Sequence, residues 1–441
     1  MRRALPWIGL LMIVVAVILY GVKRYPGNTE KVAEKLPTIR VALFQAPASA
    51  ALYKMKSKFE QEFHVRVQIE LLPYDELQSK IEQQFQTGTS NFDVIMVDCI
   101  LIPTYAARGM LAEVNPTIWT EGDLNLSDIM PALDDYLSRY PKGGKRFGMP
   151  FMSNTHMMAF HPSIVEPFAK KLGLELPGDS AKSAWTWEQY LEVAKAITAA
   201  RKGPKDPYGT SLQARAGAWI VYEWYSVLFG FVHDDTARET GLPAFGHDVA
   251  EAMDYYKRLY AVAPKDALTW GHEEETTAMC SGLTAMDATS NVELAANLLK
   301  PECAKEGGKI DFAYPPIGVD DKASPDMGGY GLLLTAQSNQ KQLASKFILW
   351  AASPDVHREV VLQGGSPIRV SELKIPTVLA KYPYLKFYDK LIKASIYRAR
   401  VPQWLQLQDV ISRDLVSVMK GRETSISATS DIRSWVTANI K

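Results

Sequence analysis

The sequence predicts an α/β protein built on a parallel sheet with helical crossovers, preceded by one N-terminal segment able to cross a membrane. Three observations carry this. Residues 39–98 alternate strand, helix, strand, helix, strand, the order that places parallel strands side by side. The last of these strands, Phe92-Asp93-Val94-Ile95-Met96-Val97-Asp98, is continuously apolar between acidic bounds, as a strand buried on both faces is. The chain opens with Met1-Arg2-Arg3, an apolar run from Ala4 to Val22, and then Lys23-Arg24.

A run of about 19 apolar residues is long enough to span a bilayer as a helix. No Ala-x-Ala site closes it and no cysteine follows it, so residues 1–24 read as an uncleaved signal anchor rather than a removed leader. Basic residues flank both sides. A very short N-terminal tail stays inside, which places the body of the chain outside. Residues 25–38, polar with Pro26, Gly27 and Pro37, read as a tether.

Within the body, Ile39–Phe44 is a strand by its β-branched and apolar content, and Ala50–Phe63 is a helix. Val65–Leu72 alternates apolar and polar, as a strand does, and Tyr74–Phe85 is a helix ending near Gly88. The middle reads mostly helical. Thr186 and Gln189 form a capping-box pattern ahead of Tyr190, Leu191, Val193, Ala194 and Ile197 on one helical face. A further helix runs from about His247 to Ala261. Lys309–Pro315 and Gly329–Thr335 read as short strands; Gln342–Ala352, Tyr384–Ala394 and Trp404–Met419 read as helices. There is no internal repeat.

Formal net charge is zero, so there is no basic footprint for nucleic acid. The three cysteines make neither a disulfide framework nor a metal pattern. Cys99 reads as a buried thiol. Cys280 and Cys303 are either a pair formed in an oxidising compartment or two core thiols. No Gly-x-Ser-x-Gly elbow, His-Glu-x-x-His or phosphate loop occurs; His272-Glu273-Glu274-Glu275 lacks the second histidine.

Several segments, in order, resemble one family. They are Ile39–Phe44, Phe92–Asp98, Gly109-Met110-Leu111-Ala112-Glu113-Val114 and Arg146-Phe147-Gly148-Met149-Pro150. Phe160-His161-Pro162, Pro177 with Thr186-Trp187-Glu188, and Gly282-Leu283-Thr284-Ala285-Met286 follow. Tyr314-Pro315-Pro316-Ile317-Gly318, Gly328-Gly329-Tyr330-Gly331, Ala344–Trp350 and Gly365-Ser366-Pro367-Ile368-Arg369 complete the series. Together they resemble the extracellular solute-binding proteins of ABC importers, the branch that includes maltose-binding protein. The resemblance implies two lobes joined by hinge crossovers around a ligand cleft. It divides the chain into 39–150, completed by about 330–372, and 151–329, completed by about 373–441. It implies no cofactor, a monomer, a small-molecule ligand and membrane permease subunits as partners. Where that family often has Trp, this chain has Val292.

Ligands of such sheets lie at the carboxyl ends of strands. Gln45 and Asp98 end strands, and a turn or helix-cap role is the plainer alternative for each. Asn154 is one of three polar residues (with Ser153 and His156) just after the first hinge crossing. Trp219, Tyr222, Trp224 and Tyr225 form the densest aromatic patch, suited to the C–H faces of a saccharide or polyol or else to a core. Asp287 and Asn291 follow the Ala285-Met286 element. Tyr330 sits among glycines. Arg400 and Trp404 flank Val401-Pro402-Gln403 ahead of the last predicted helix. The function implied is capture of a carbohydrate or sugar alcohol for an importer. A carbohydrate-active enzyme with paired carboxylates, or a tethered solute sensor, is the alternative.

Overall fold

The computed structural model describes residues 36–118 and 124–440; the expected membrane segment and nearly all of the tether lie outside them. Among the described residues no helix is long and apolar enough to cross a membrane.

The first units follow the sequence pattern closely. β1 (Thr38–Phe44) leads to a helix, Pro47–Phe63, whose Pro47 occupies a first-turn position where no amide donor is needed. β2 (Arg66–Leu72) and the helix Tyr74–Thr87 follow, the helix ending on Gly88 at φ +67°. A left-handed residue there is the usual way to close a helix, and glycine adopts it without a Cβ clash. β3 (Val94–Asp98) is wholly buried. A short hairpin of two-residue strands, β4 (Arg139–Tyr140) and β5 (Lys145–Arg146), precedes β6 (Gly148–Phe160). The remaining strands are β7 (Met286–Asn291), β8 (Asp311–Ala313), β9 (Asp326–Leu334) and β10 (Ile396–Tyr397).

The expectation of a parallel sheet holds for its first half and for the short β10 beside β9. β1 runs parallel to β2 and β3, but β9 is antiparallel to β3 and to β6, and β6 is antiparallel to β7 and β8. The eight-stranded sheet is therefore mixed, in the order β2-β1-β3-β9-β6-β7 with β10 on β9 and β8 on β6. β6 is the element that sequence periodicity hides. All thirteen of its residues are buried, and Ser153-Asn154-Thr155-His156 interrupts its apolar run. Its first part pairs with β9 and its last with β7 and β8, so one strand serves both halves of the sheet.

The Thr186–Gln189 capping box forms in both directions, at 3.1 and 2.8 Å. Helices cover His247–Tyr260, Lys341–Ala351, Tyr388–Ala394 and Trp404–Met419, each near its predicted place. The final helix, Ser425–Asn439, was not legible: its apolar residues are too few to mark a face, and Ile426 is exposed. Cys280 and Cys303 are joined in a disulfide, and Cys99 is a buried free thiol. Arg369, in the Gly-x-x-Pro-x-Arg segment, is buried and structural. Its guanidinium donates to the carbonyls of Leu124 at 2.8 Å and Asn125 at 2.9 Å.

Candidate functional site

A narrow cavity lies where the two halves of the sheet meet. It is lined by Tyr74, Asp98, Asn154, Ala218, Trp219, Tyr222, His272, Glu293, Gly328, Gly329, Tyr330 and Arg398. Its volume is about 20 Å³. That is room for a water or two, so a ligand enters only as the walls separate.

Asp98 stands at the end of β3. Its Oδ2 accepts from Tyr74 Oη at 2.9 Å and its Oδ1 from the Ile100 amide at 3.4 Å. Asp98 is thus both a turn cap and a wall of the cavity. Asn154, midway along β6, donates through Nδ2 to Tyr222 Oη at 2.7 Å and Asn291 Oδ1 at 2.9 Å, and accepts from the Glu293 amide at 3.3 Å. It ties both halves of the sheet to the aromatic helix Ala218–Leu228. On β9, Tyr330 stacks on Phe44 with centroids 5.3 Å apart. Two residues earlier, Gly328 lies close against Tyr222: a Cβ there would be 2.9 Å from Tyr222 Oη, so that side chain would have to shift. Gly329 has φ +121° and the Met152 carbonyl where a Cβ would go, at 2.5 Å, so only glycine fits.

The helix Ala218–Leu228 presents Trp219 and Tyr222, three residues apart, on one face. Trp219 meets His272 edge-on at 4.4 Å and Tyr74 at 5.2 Å. Trp224 and Tyr225 face elsewhere; both are fully buried, and Trp224 packs edge-on against Tyr225 at 6.0 Å. Four rings (Tyr74, Trp219, Tyr222, Tyr330) therefore wall the cavity.

Three charged or titratable residues complete it, and none was singled out from the sequence. Arg398 lies with its guanidinium 4.5 Å from the Tyr222 ring centroid, its Nε 2.7 Å from Asp326 Oδ2 and its Nη2 3.9 Å from Asp98 Oδ1. Burial works against its charge, but Asp326 and Asp98 prevail and hold it well above the usual guanidinium range. Glu293, on the short turn Val292–Leu294, is almost wholly buried, and neither carboxyl oxygen has a hydrogen-bond partner. Burial pushes its carboxyl well above the usual range, Asp98 adds to this, and Arg398 opposes it. His272 begins the helix His272–Cys280, and neither ring nitrogen is hydrogen-bonded. Its Nδ1 lies 3.2 Å from Glu293 Oε1 but out of line for a hydrogen bond. Burial holds His272 down at about 3.

The remaining sequence candidates lie elsewhere. Gln45 is exposed on a broad groove of about 1200 Å³, with Lys54, Glu273 and Tyr382. Asn291 is one step behind the cavity, on Asn154. Asp287 is turned into a separate buried cluster, where it accepts from the Thr289 amide at 2.9 Å. Thr289 Oγ1 also reaches Glu223 at 2.9 Å, and Tyr256 donates to Glu223 at 2.7 Å. Trp404 is core; its Nε1 donates to Gln408 at 3.1 Å. Arg400 is drawn away by Asp135 at 3.3 Å and the Arg139 carbonyl. Among the described residues, no cluster of His, Cys, Asp and Glu is placed to hold a metal ion.

A cleft between two halves of a mixed sheet, crossed by shared strands and lined by aromatic rings and unpaired polar groups, is the architecture of a solute-binding protein. Residues 54–382 match the family model for bacterial extracellular solute-binding proteins, and the chain belongs to that family. A probable amino-acid ABC transporter periplasmic-binding protein of Sinorhizobium fredii is 25% identical over 356 residues, covering 78% of this chain and 75% of the relative. The mannitol-binding protein of Pseudomonas aeruginosa is 24% identical over 301 residues, covering 67% of this chain and 65% of the relative. The crystal structure of an ABC transporter solute-binding protein from Agrobacterium radiobacter K84, in complex with ribitol, superposes with a TM-score of 0.78 at 22% identity. It covers 91% of this chain and 98% of that one, and the two-lobed fold is shared.

Proposed function

We infer that this protein is the substrate-binding component of an ABC importer, and that its ligand is a small sugar alcohol. The observation that carries the ligand class is the pairing of four aromatic walls with hydrogen-bonding atoms that have no partner, on Glu293 and His272. Buried polar groups are normally satisfied, so unpaired ones in a cavity mark the positions of ligand hydroxyls. Rings accept the C–H edges of the same molecule. The mannitol-binding relative and the ribitol-bound neighbour support this choice.

The mechanism is capture by closure. Ligand favours the closed arrangement through contacts made only there, and the closed form delivers it to a membrane permease. Residues 39–150 with about 330–372, and 151–329 with about 373–441, are the lobes that move. The protein works outside the cytoplasm as a monomer and as a binder rather than a catalyst, with residues 1–24 holding it to the membrane. A thermal-shift panel of four- to six-carbon alditols and maltose tests the ligand class. A ligand at 100 times its Kd adds about 2.7 kcal/mol of stability. Stabilisation by an alditol is expected; stabilisation by maltose alone would replace the reading. Retention in salt-washed membranes tests the anchor, and a freely soluble product starting beyond Lys23 would remove it.

A further inference from the structure

The carboxyl groups around the cavity outnumber its cations. Asp98, Glu293 and Asp326 bring three carboxylates to it or directly behind it, and among the described residues that line it Arg398 is the one guanidinium. That guanidinium is already in use: Nε is 2.7 Å from Asp326, and Nη2 approaches Asp98. Asp98 is further satisfied by Tyr74 and the Ile100 amide. Glu293 receives nothing, although it is 1% exposed. Among the described residues no lysine lines the cavity, and Arg215 outside it is paired with Asp75 at 3.3 Å. Burial keeps the His272 imidazole neutral, and it also pushes the Glu293 carboxyl up, so the empty cavity holds Glu293 as the acid, which gives up its proton to solvent as a cation enters.

We propose that the cleft is built for a polyol carrying a cationic amino group, with Glu293 as the carboxylate that receives it. This rests on the polyol reading above and narrows it. An ammonium group supplies three donors and a positive charge, which meets the two unpartnered oxygens of Glu293. Trp219, Tyr222, Tyr74 and Tyr330 add ring faces and edges of the kind that stabilise a desolvated cation. The same arrangement rejects anions. A carboxylate or phosphate would face Asp98 and Glu293 with no unengaged cation to pair with, and so an amino acid, with its α-carboxylate, fits less well than an amino alditol.

The test is calorimetric titration of the full chain with three matched six-carbon compounds: D-glucitol, 1-amino-1-deoxy-D-glucitol and D-gluconate. The amino alditol is expected to bind at least tenfold more tightly than glucitol, and gluconate more weakly than either. In Glu293→Gln, where both compounds lose the contact with the carboxyl, the ratio of amino alditol to glucitol affinity is expected to fall from at least tenfold to less than threefold. If that variant does not fold, raising the pH through the amine's own titration on the unaltered protein serves instead, and the advantage must fade as the amine is neutralised. Glucitol binding as tightly as its amino analogue overturns this inference and leaves the polyol reading standing. Failure of these compounds and of the whole alditol panel to bind overturns both.

Discussion

Arg215 reaches Asp75 across the mouth of the cleft, Nη2 to Oδ2, at 3.3 Å, and its guanidinium lies 5.0 Å from the Trp219 ring centroid. On the proposed division into lobes the two residues belong to opposite walls, and the pair then exists only when the walls are together. Both side chains are substantially exposed, so solvent and salt screen the pair and its worth is about 0.5 kcal/mol. Arg215→Ala is expected to weaken ligand binding about two- to threefold, mainly through faster release, with the difference vanishing in high salt. Stopped-flow release rates at two ionic strengths check this.

The aromatic patch divides into two kinds of residue. Trp219→Ala is expected to leave the protein folded and to weaken binding by about 2 kcal/mol, since a ring at a binding surface is worth that much when it is central. Trp224→Ala empties a fully buried site and is expected to cost about 3–5 kcal/mol of stability. Melting temperature and affinity, measured on both variants, separate the two. A Trp224→Ala protein of unchanged stability would contradict its placement in the core.

The buried cluster of Glu223, Asp287 and Glu275 makes stability depend on pH. Burial raises Glu223 to about 8 and Asp287 to about 7, and Glu275 well above the usual range. Each raised group binds its proton more tightly folded than unfolded. Stability is therefore full below about pH 4 as far as this cluster is concerned, and is lost as pH rises towards about 8. The three carboxyls titrate as a set, so the slope belongs to the cluster. Denaturant unfolding at pH 6 and pH 9 is expected to show lower stability at pH 9, and Glu223→Gln is expected to reduce the drop. An equal drop in that variant would place the effect elsewhere.

The Cys280–Cys303 bond closes a loop with a sequence separation of 23. Removing a cross-link of this span costs about 3 kcal/mol in the chain-entropy account. The double variant Cys280→Ser/Cys303→Ser is expected to unfold at correspondingly lower urea. Because the bond ties the end of the helix that begins at His272, a weaker ligand affinity in the same variant is expected too, measured by calorimetry.

What the sequence made legible follows the reach of local rules. Asp98 and Tyr330 could be placed because strand ends and glycine-flanked residues announce themselves. Trp219 and Tyr222 share a helical face, while Trp224, five positions after Trp219, is turned about 140° from it; helical spacing separates the three once the helix is fixed. The local pattern pointed to Arg400, whereas Arg398, two residues earlier, is the one that lines the cavity. The partner that removes Arg400, Asp135, is 265 positions away, and so is invisible to any local pattern. Glu293 and His272 gave no signal because an acid on a short turn and a histidine opening an acidic helix are ordinary surface patterns until the fold buries them. β6 was hidden for the opposite reason: among the polar residues that broke its pattern is Asn154, the one it delivers to the cavity.

β6 also has a mechanical consequence. Its register slips against β9 between Pro150 and Met152, and against β7 between Met157 and Ala159, leaving Asn154 on the stretch between the two irregularities. Such irregularities bend a strand and concentrate its twist. If the two halves close on a ligand as proposed, they turn about this stretch like a torsion spring clamped at both ends, and its stiffness sets how often the unliganded protein visits the closed form. Apparent affinity scales with that fraction. Substitutions at the clamps, which touch no ligand, can therefore retune affinity without altering which ligand is chosen.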